Sequence, residues 1–71
     1  MNVFVYKTDI ISDYDLEAID ELLSSHRTII RWNVDRDDVD KVLRIESTAD
    51  NAEELLQTIT SAGYFCEELE D

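Results

Sequence analysis

Along this chain the spacing of apolar residues alternates between a period of two and a period near three and a half, and few folds accommodate that order. From Val3 to Ile10, Phe4, Tyr6, Thr8 and Ile10 stand on one side of a period-two pattern and Val3, Val5, Lys7 and Asp9 on the other, which predicts a first strand. Ser12 follows at a helix N-cap position, with Asp13 and Asp15 in the first turn and Asp15 placed to close a capping box. Leu16, Ile19, Leu22 and Leu23 then form an apolar stripe opposite Glu17, Asp20 and Glu21, and the pattern ends at Ser24-Ser25-His26-Arg27. Period two returns from Thr28 to Val34, and again from Lys41 to Glu46 after the polar stretch Asp35-Arg36-Asp37-Asp38, which reads as a hairpin.

Asp50-Asn51 precedes a second helix in which Ala52, Leu55, Leu56, Ile59 and Ala62 share one face and Glu53 or Glu54 can reach back to the cap. The chain's single glycine, Gly63, stands just past the last apolar position, where a left-handed residue ends a helix. Tyr64 to Leu69 supplies a fourth short strand, and Glu70 and Asp71 an acidic end. The order is β-α-β-β-α-β, an α+β ferredoxin-like sandwich: right-handed crossovers put two helices on one face of a four-stranded antiparallel sheet. The expected core is Phe4, Tyr6, Ile10, Leu16, Ile19, Leu23, Ile30, Trp32, Val34, Leu43, Ile45, Leu55, Leu56, Ile59 and Tyr64.

Residues 1–71 make one domain at most, and a chain of this mass hides only about 60% of its surface on folding. Leu, Ile, Val and Phe supply 21 of the 71 residues, enough for a packed core despite 34% charged residues. With Cys66 alone no internal disulfide can form, which points to a reducing compartment and to a core that must hold the fold unaided. A net charge of −12 repels phosphate backbones and anionic membrane surfaces, so neither nucleic acid nor membrane is an expected partner. The N-terminus has neither a basic leader nor a long apolar run, and the expectation is a soluble cytoplasmic protein.

Three stretches carry a family likeness: Lys7-Thr8-Asp9-Ile10 closing the first strand, Trp32-Asn33-Val34-Asp35 facing Asp40-Lys41-Val42-Leu43, and Ala62-Gly63-Tyr64 after the second helix. Through them the chain resembles the heavy-metal-associated domains, small copper-chaperone-like proteins. That resemblance implies the sandwich fold and a metal loop between first strand and first helix, where such domains carry Met-x-Cys-x-x-Cys. Laid on this loop, the motif places Ile10 at the methionine, Ser12 at the first cysteine and Asp15 at the second. Cu(I) and similar ions need thiolate sulfur, so the metal ligands do not carry over and no cofactor is expected. Ile10 can pack as the methionine would, and Ser12 with Asp15 serves as a helix cap.

Other candidate chemistry is sparse. Cys66 shares the inward parity of Tyr64 and reads as a buried, inert thiol. His26, the one histidine, falls at the C-terminus of the first helix, where a partly charged imidazole suits the dipole. The acids from Asp35 to Asp40 with Glu46 fail as a calcium loop, because Val39 and Asp40 occupy its fifth and sixth positions and strands flank it. No nucleophile pairs with a base and no glycine-rich phosphate loop exists, so no enzyme is expected. The remaining candidate is the sheet face away from the helices, where Val3, Val5, Ile29, Arg31, Val42, Arg44 and Phe65, with Glu67, should form a mixed apolar and charged patch. That patch suits a protein partner or a second copy of the chain. A non-enzymatic adaptor is therefore the leading reading, with a divergent metal-binding or metal-chaperone protein as the alternative.

Overall fold

All six expected elements form, in the expected order, in a computed structural model that describes residues 1–69. They are β1 (Asn2–Thr8), α1 (Asp13–Ser24), β2 (Ile29–Asp35), β3 (Val42–Ser47), α2 (Ala52–Ser61) and β4 (Cys66–Glu68). The strands make one antiparallel sheet in the order β2-β3-β1-β4, so the two central strands come from different halves of the chain. The acidic end at Glu70 and Asp71 lies outside the described residues.

The core is built where the two periods meet. Tyr6, Leu43, Ile45 and Cys66 from the sheet pack against Ile19 and Leu23 of α1 and Leu55 and Ile59 of α2, with Ile10 closing one end. Each fully buried aliphatic side chain contributes on the order of 1.5–3 kcal/mol against exposure to water. Phe4, Leu16, Leu22, Ile29, Trp32, Val34, Leu56 and Tyr64 pack around this centre half-buried. Among the described residues no buried side-chain nitrogen or oxygen lacks a hydrogen-bond partner.

Local chemistry sets the boundaries. Ser12 Oγ accepts from the Asp15 N–H at 3.1 Å while Asp15 Oδ2 accepts from the Ser12 N–H at 3.2 Å, the complete reciprocal box that the sequence foretold. Gly63 ends α2 with φ +98°, and a methyl group there would meet nothing within 4 Å, so its requirement is one of backbone conformation alone. The cap of α2 departs from expectation. Asn51 makes no side-chain cap bond, and neither Glu53 nor Glu54 reaches back; the Asn51 amide instead joins Ser47 Oγ and Thr28 Oγ1, each at 3.1 Å. A long-range tie has displaced a local one.

The strands also end differently from the period-two reading. β1 stops at Thr8, because Asp9 turns its carboxylate to the Phe65 N–H at 3.1 Å and Ile10 drops into the core. β3 starts at Val42 after Lys41, whose φ of +45° belongs to the hairpin turn. β4 is limited to Cys66–Glu68, although the Leu69 N–H still donates to the Val5 carbonyl at 2.9 Å. In β2 a bulge changes the sides of two residues. Ile29 pairs with Ser47 and Arg31 with the adjacent Glu46, leaving Ile30 as the extra residue. Ile29 therefore packs on the core with Trp32 and Val34, whereas Ile30, expected inside, is 50% exposed.

Candidate functional site

Two surfaces carried the functional expectations, the loop between β1 and α1 and the sheet face opposite the helices. In the loop, residues 9–12 leave β1 and enter α1 with many of their polar groups already engaged. Asp15 Oδ2 accepts from the backbone N–H groups of Ser12 and Ile11, both at 3.2 Å, and these bonds hold its carboxyl below the usual carboxylate range. Its second oxygen accepts from the Tyr64 hydroxyl at 3.4 Å. Arg36 reaches across from the β2–β3 hairpin, and its Nη1 donates to the Ile11 carbonyl at 3.1 Å and to Asp13 Oδ1 at 2.9 Å. Asp9, Tyr64 and Arg36 were not foreseen as loop partners, since nothing in residues so far apart signals the contact.

This loop does not fit a thiophilic ion. Its hydroxyl and carboxylates are hard oxygen donors, already bonded to backbone N–H groups and a guanidinium, and soft ions require thiolate. The one thiol, Cys66, pairs opposite Thr8 at the same end of the sheet but is turned into the core. Burial first, and the Asp9 charge second, push its pKa from an ordinary 9.0 up to about 12, which keeps it protonated near neutral pH. Among the described residues no three His, Cys, Asp or Glu side chains converge as a metal cluster.

The other isolated candidates have local occupations. His26 sits beyond the C-cap of α1, its N–H donating to the Leu23 carbonyl at 3.0 Å and its Nδ1 lying 4.0 Å from Glu54 of α2. In the hairpin, Asp35 and Asp38 fold back onto the N–H groups of Asp37 and Asp40 at 3.2 and 2.8 Å, turn-forming contacts that engage one oxygen of each carboxylate. Val39, between them, is 89% exposed and offers no ligand.

The free sheet face is organised in rows across the strands. Arg31, Glu46 and Val3 form one row, Asn33, Arg44 and Val5 the next, and Asp35 stands beside Val42. Lys7 pairs with Glu67 and lies 3.5 Å from Asp40. Arg31 Nε meets Glu46 Oε2 at 2.6 Å, joining an exposed guanidinium to a carboxylate that is largely covered. Val3, Val5, Arg31, Val42 and Arg44 therefore share this face, and Phe65, 48% exposed, flanks it before β4. Ile29 does not belong there: the bulge turns it to the helix side, opposite the fully buried Ser47. Three of the chain's six basic residues, Lys7, Arg31 and Arg44, lie on this sheet face, whereas neither helix has a basic residue.

Among the described residues no helix is long and apolar enough to cross a membrane. No family model matches the chain, and no curated protein matches it in sequence. In three dimensions it is similar to the N-terminal domain of ZntA, solved in solution in its Zn(II) form, with a TM-score of 0.80 and 10% sequence identity over 96% of this chain and 92% of that one. Together with the β-α-β-β-α-β order and the single antiparallel sheet, that likeness makes this chain a ferredoxin-like sandwich with the fold of a heavy-metal-associated domain.

Proposed function

We propose that the chain is a non-enzymatic interaction module that has kept the fold of a metal-carrying domain, has lost its thiol ligands, and docks a partner protein on its free sheet face. The observation that carries this reading is the contrast in engagement. The polar groups of the β1–α1 loop are spent on their own cap, on Arg36 and on Tyr64, while the sheet face leaves Val3 and Phe65 partly exposed beside Arg31 and Arg44. Apolar side chains edged by charge, on a face no helix covers, match the make-up of protein interfaces. With Lys7, Arg31 and Arg44 set among Asp35, Glu46 and Glu67, this face is close to neutral in a chain of net charge −12, which favours a partner with an apolar centre and a rim of mixed charge.

A second reading, divergent metal handling, is favoured by the likeness to a domain solved in its Zn(II) form. One titration separates the two. Reduced protein is followed by backbone NMR while Cu(I), Zn²⁺ or Ca²⁺ is added; the adaptor reading expects the amides from Ile10 to Asp15 to stay in place, and stoichiometric shifts there would replace it with the metal reading. The docking half is tested by affinity capture with wild type and Val5→Asp. A partner retained equally by both would remove the sheet face from the proposal.

A further inference from the structure

In a sheet ordered β2-β3-β1-β4, β2 and β4 each have one side without a neighbouring strand. An open strand side is a template for another strand, and short strands, charged side chains and bulges are the usual protection against it. β4 is short and acidic, three residues of which two are glutamate. β2 is seven residues long and carries one arginine and one aspartate, Arg31 and Asp35, so the strand itself is neutral in a chain of net charge −12. Its bulge lies at the Ile29 end, which leaves Arg31 to Asp35 in regular register.

We infer that two copies of the chain pair antiparallel through β2, centred on Asn33, to make one continuous eight-stranded sheet. The sequence of this strand is self-complementary in that register. Arg31, Asn33 and Asp35 face the free side, and Trp32 and Val34 the helix side. A two-fold axis at Asn33 sets Arg31 of each copy, whose Nε holds Glu46 of its own chain, opposite the partner subunit's Asp35, adding two ion pairs across the junction, and sets Trp32 opposite the partner subunit's Val34. Centring on Trp32 would set Arg31 against the partner subunit's Asn33 and give no charge pair across the junction, and centring on Val34 would bring Arg31 only to the partner subunit's Asp37, in the turn beyond β2. Open clefts flank Trp32 on both sides of the sheet. One of about 360 Å³ lies between α1 and β2 and includes Ile30, and one of about 270 Å³ lies over Asn33 and Arg44. They provide room for the incoming side chains at the sheet edge. The overall negative charge opposes association, but at physiological ionic strength screening over about 8 Å confines that opposition to acids near the junction.

This pairing uses the strand edge and is independent of docking on the sheet face. Sedimentation equilibrium of the full chain from micromolar to millimolar concentration should show a monomer–dimer equilibrium. Arg31→Glu and Asp35→Arg, both at exposed positions, should each weaken it about tenfold or more, because each sets like charges opposite one another twice. An equimolar mixture of these two variants should dimerise again. The acid introduced at 31 then faces the base introduced at 35, and the native Arg31 of one chain faces the native Asp35 of the other. Cooperative thermal unfolding of each variant controls for loss of fold, and Val5→Asp should leave the dimer intact. A wild type that stays monomeric throughout, a dimer indifferent to both charge reversals, or a mixture that fails to associate would each overturn the inference.

Discussion

The two β–α junctions stand at corresponding places in the two halves of the fold and are secured in different ways. Between β1 and α1, Ser12 and Asp15 satisfy one another's backbone groups within four residues of chain. Between β3 and α2 the cap residue Asn51 is drawn away to Ser47 and Thr28, and the Tyr6 hydroxyl donates to the Ala52 carbonyl at 2.8 Å from the middle of β1. One junction carries its own cap, to which Arg36 and Tyr64 add distant contacts; the other is secured through distant groups, which couple the first turn of α2 to the sheet.

The contrast is sharpest at Asn51. Asn51→Ala should lower stability by about 2 kcal/mol in urea unfolding, since it leaves the polar groups of Ser47 and Thr28 without their shared partner. The contrast between junctions collapses if that loss is no larger than the one at Ser12. Tyr6→Phe removes the second tie to α2 and should cost about 1.5 kcal/mol, read as a shift of the thermal midpoint. Ser12→Ala should cost about 1 kcal/mol, the ordinary value of an N-cap, with exchange of the Asp15 amide accelerated and α2 unaffected. Arg36→Ala should be smallest, about 0.5 kcal/mol at low salt and less at high salt, because its ion pair with Asp13 is exposed.

Two titrations extend the comparison. The Asp15 carboxyl has a folded pKa below its ordinary 3.8, so its share of the cap is complete above that value and is lost as pH falls through the lower folded one. Amides of Ile11 and Ser12 should therefore lose protection in acid, and Asp15→Asn should abolish that pH dependence. The sign is opposite at Cys66. Its pKa is raised from 9.0 to about 12, so the stability linked to the neutral thiol is complete below 9.0 and is lost as pH rises towards 12. Alkylation of native protein at pH 8 should be at least tenfold slower than after unfolding in urea, and equal rates would show the thiol to be open.

Where residues act on near neighbours, the sequence was readable. The alternation of Phe4, Tyr6 and Thr8 against Val3, Val5 and Lys7 gave β1 its sides, and the Ser12–Asp15 spacing gave α1 its start. Of the sheet-face patch, Val3, Val5, Arg31, Val42 and Arg44 follow from that alternation alone. Ile29 and Ile30 could not be read in the same way, because a strict period of two has no place for an inserted residue. The loop partners Asp9, Tyr64 and Arg36 were equally hidden, for each contact joins groups far apart in the chain.

By itself the sequence determined the kind and order of the elements, the cap of α1, the stop at Gly63 and the oxygen donors in the first loop. Those properties depend on periodicity, on bonds spanning three or four residues and on the chemistry of single side chains. Only the tertiary structure decided that β3 and β1 lie centrally, that a bulge exchanges Ile29 for Ile30, and that Asn51 serves the sheet instead of its own helix. These choices come from competition among distant partners for the same hydrogen-bonding groups and the same buried volume, and that competition is resolved only when the layers pack.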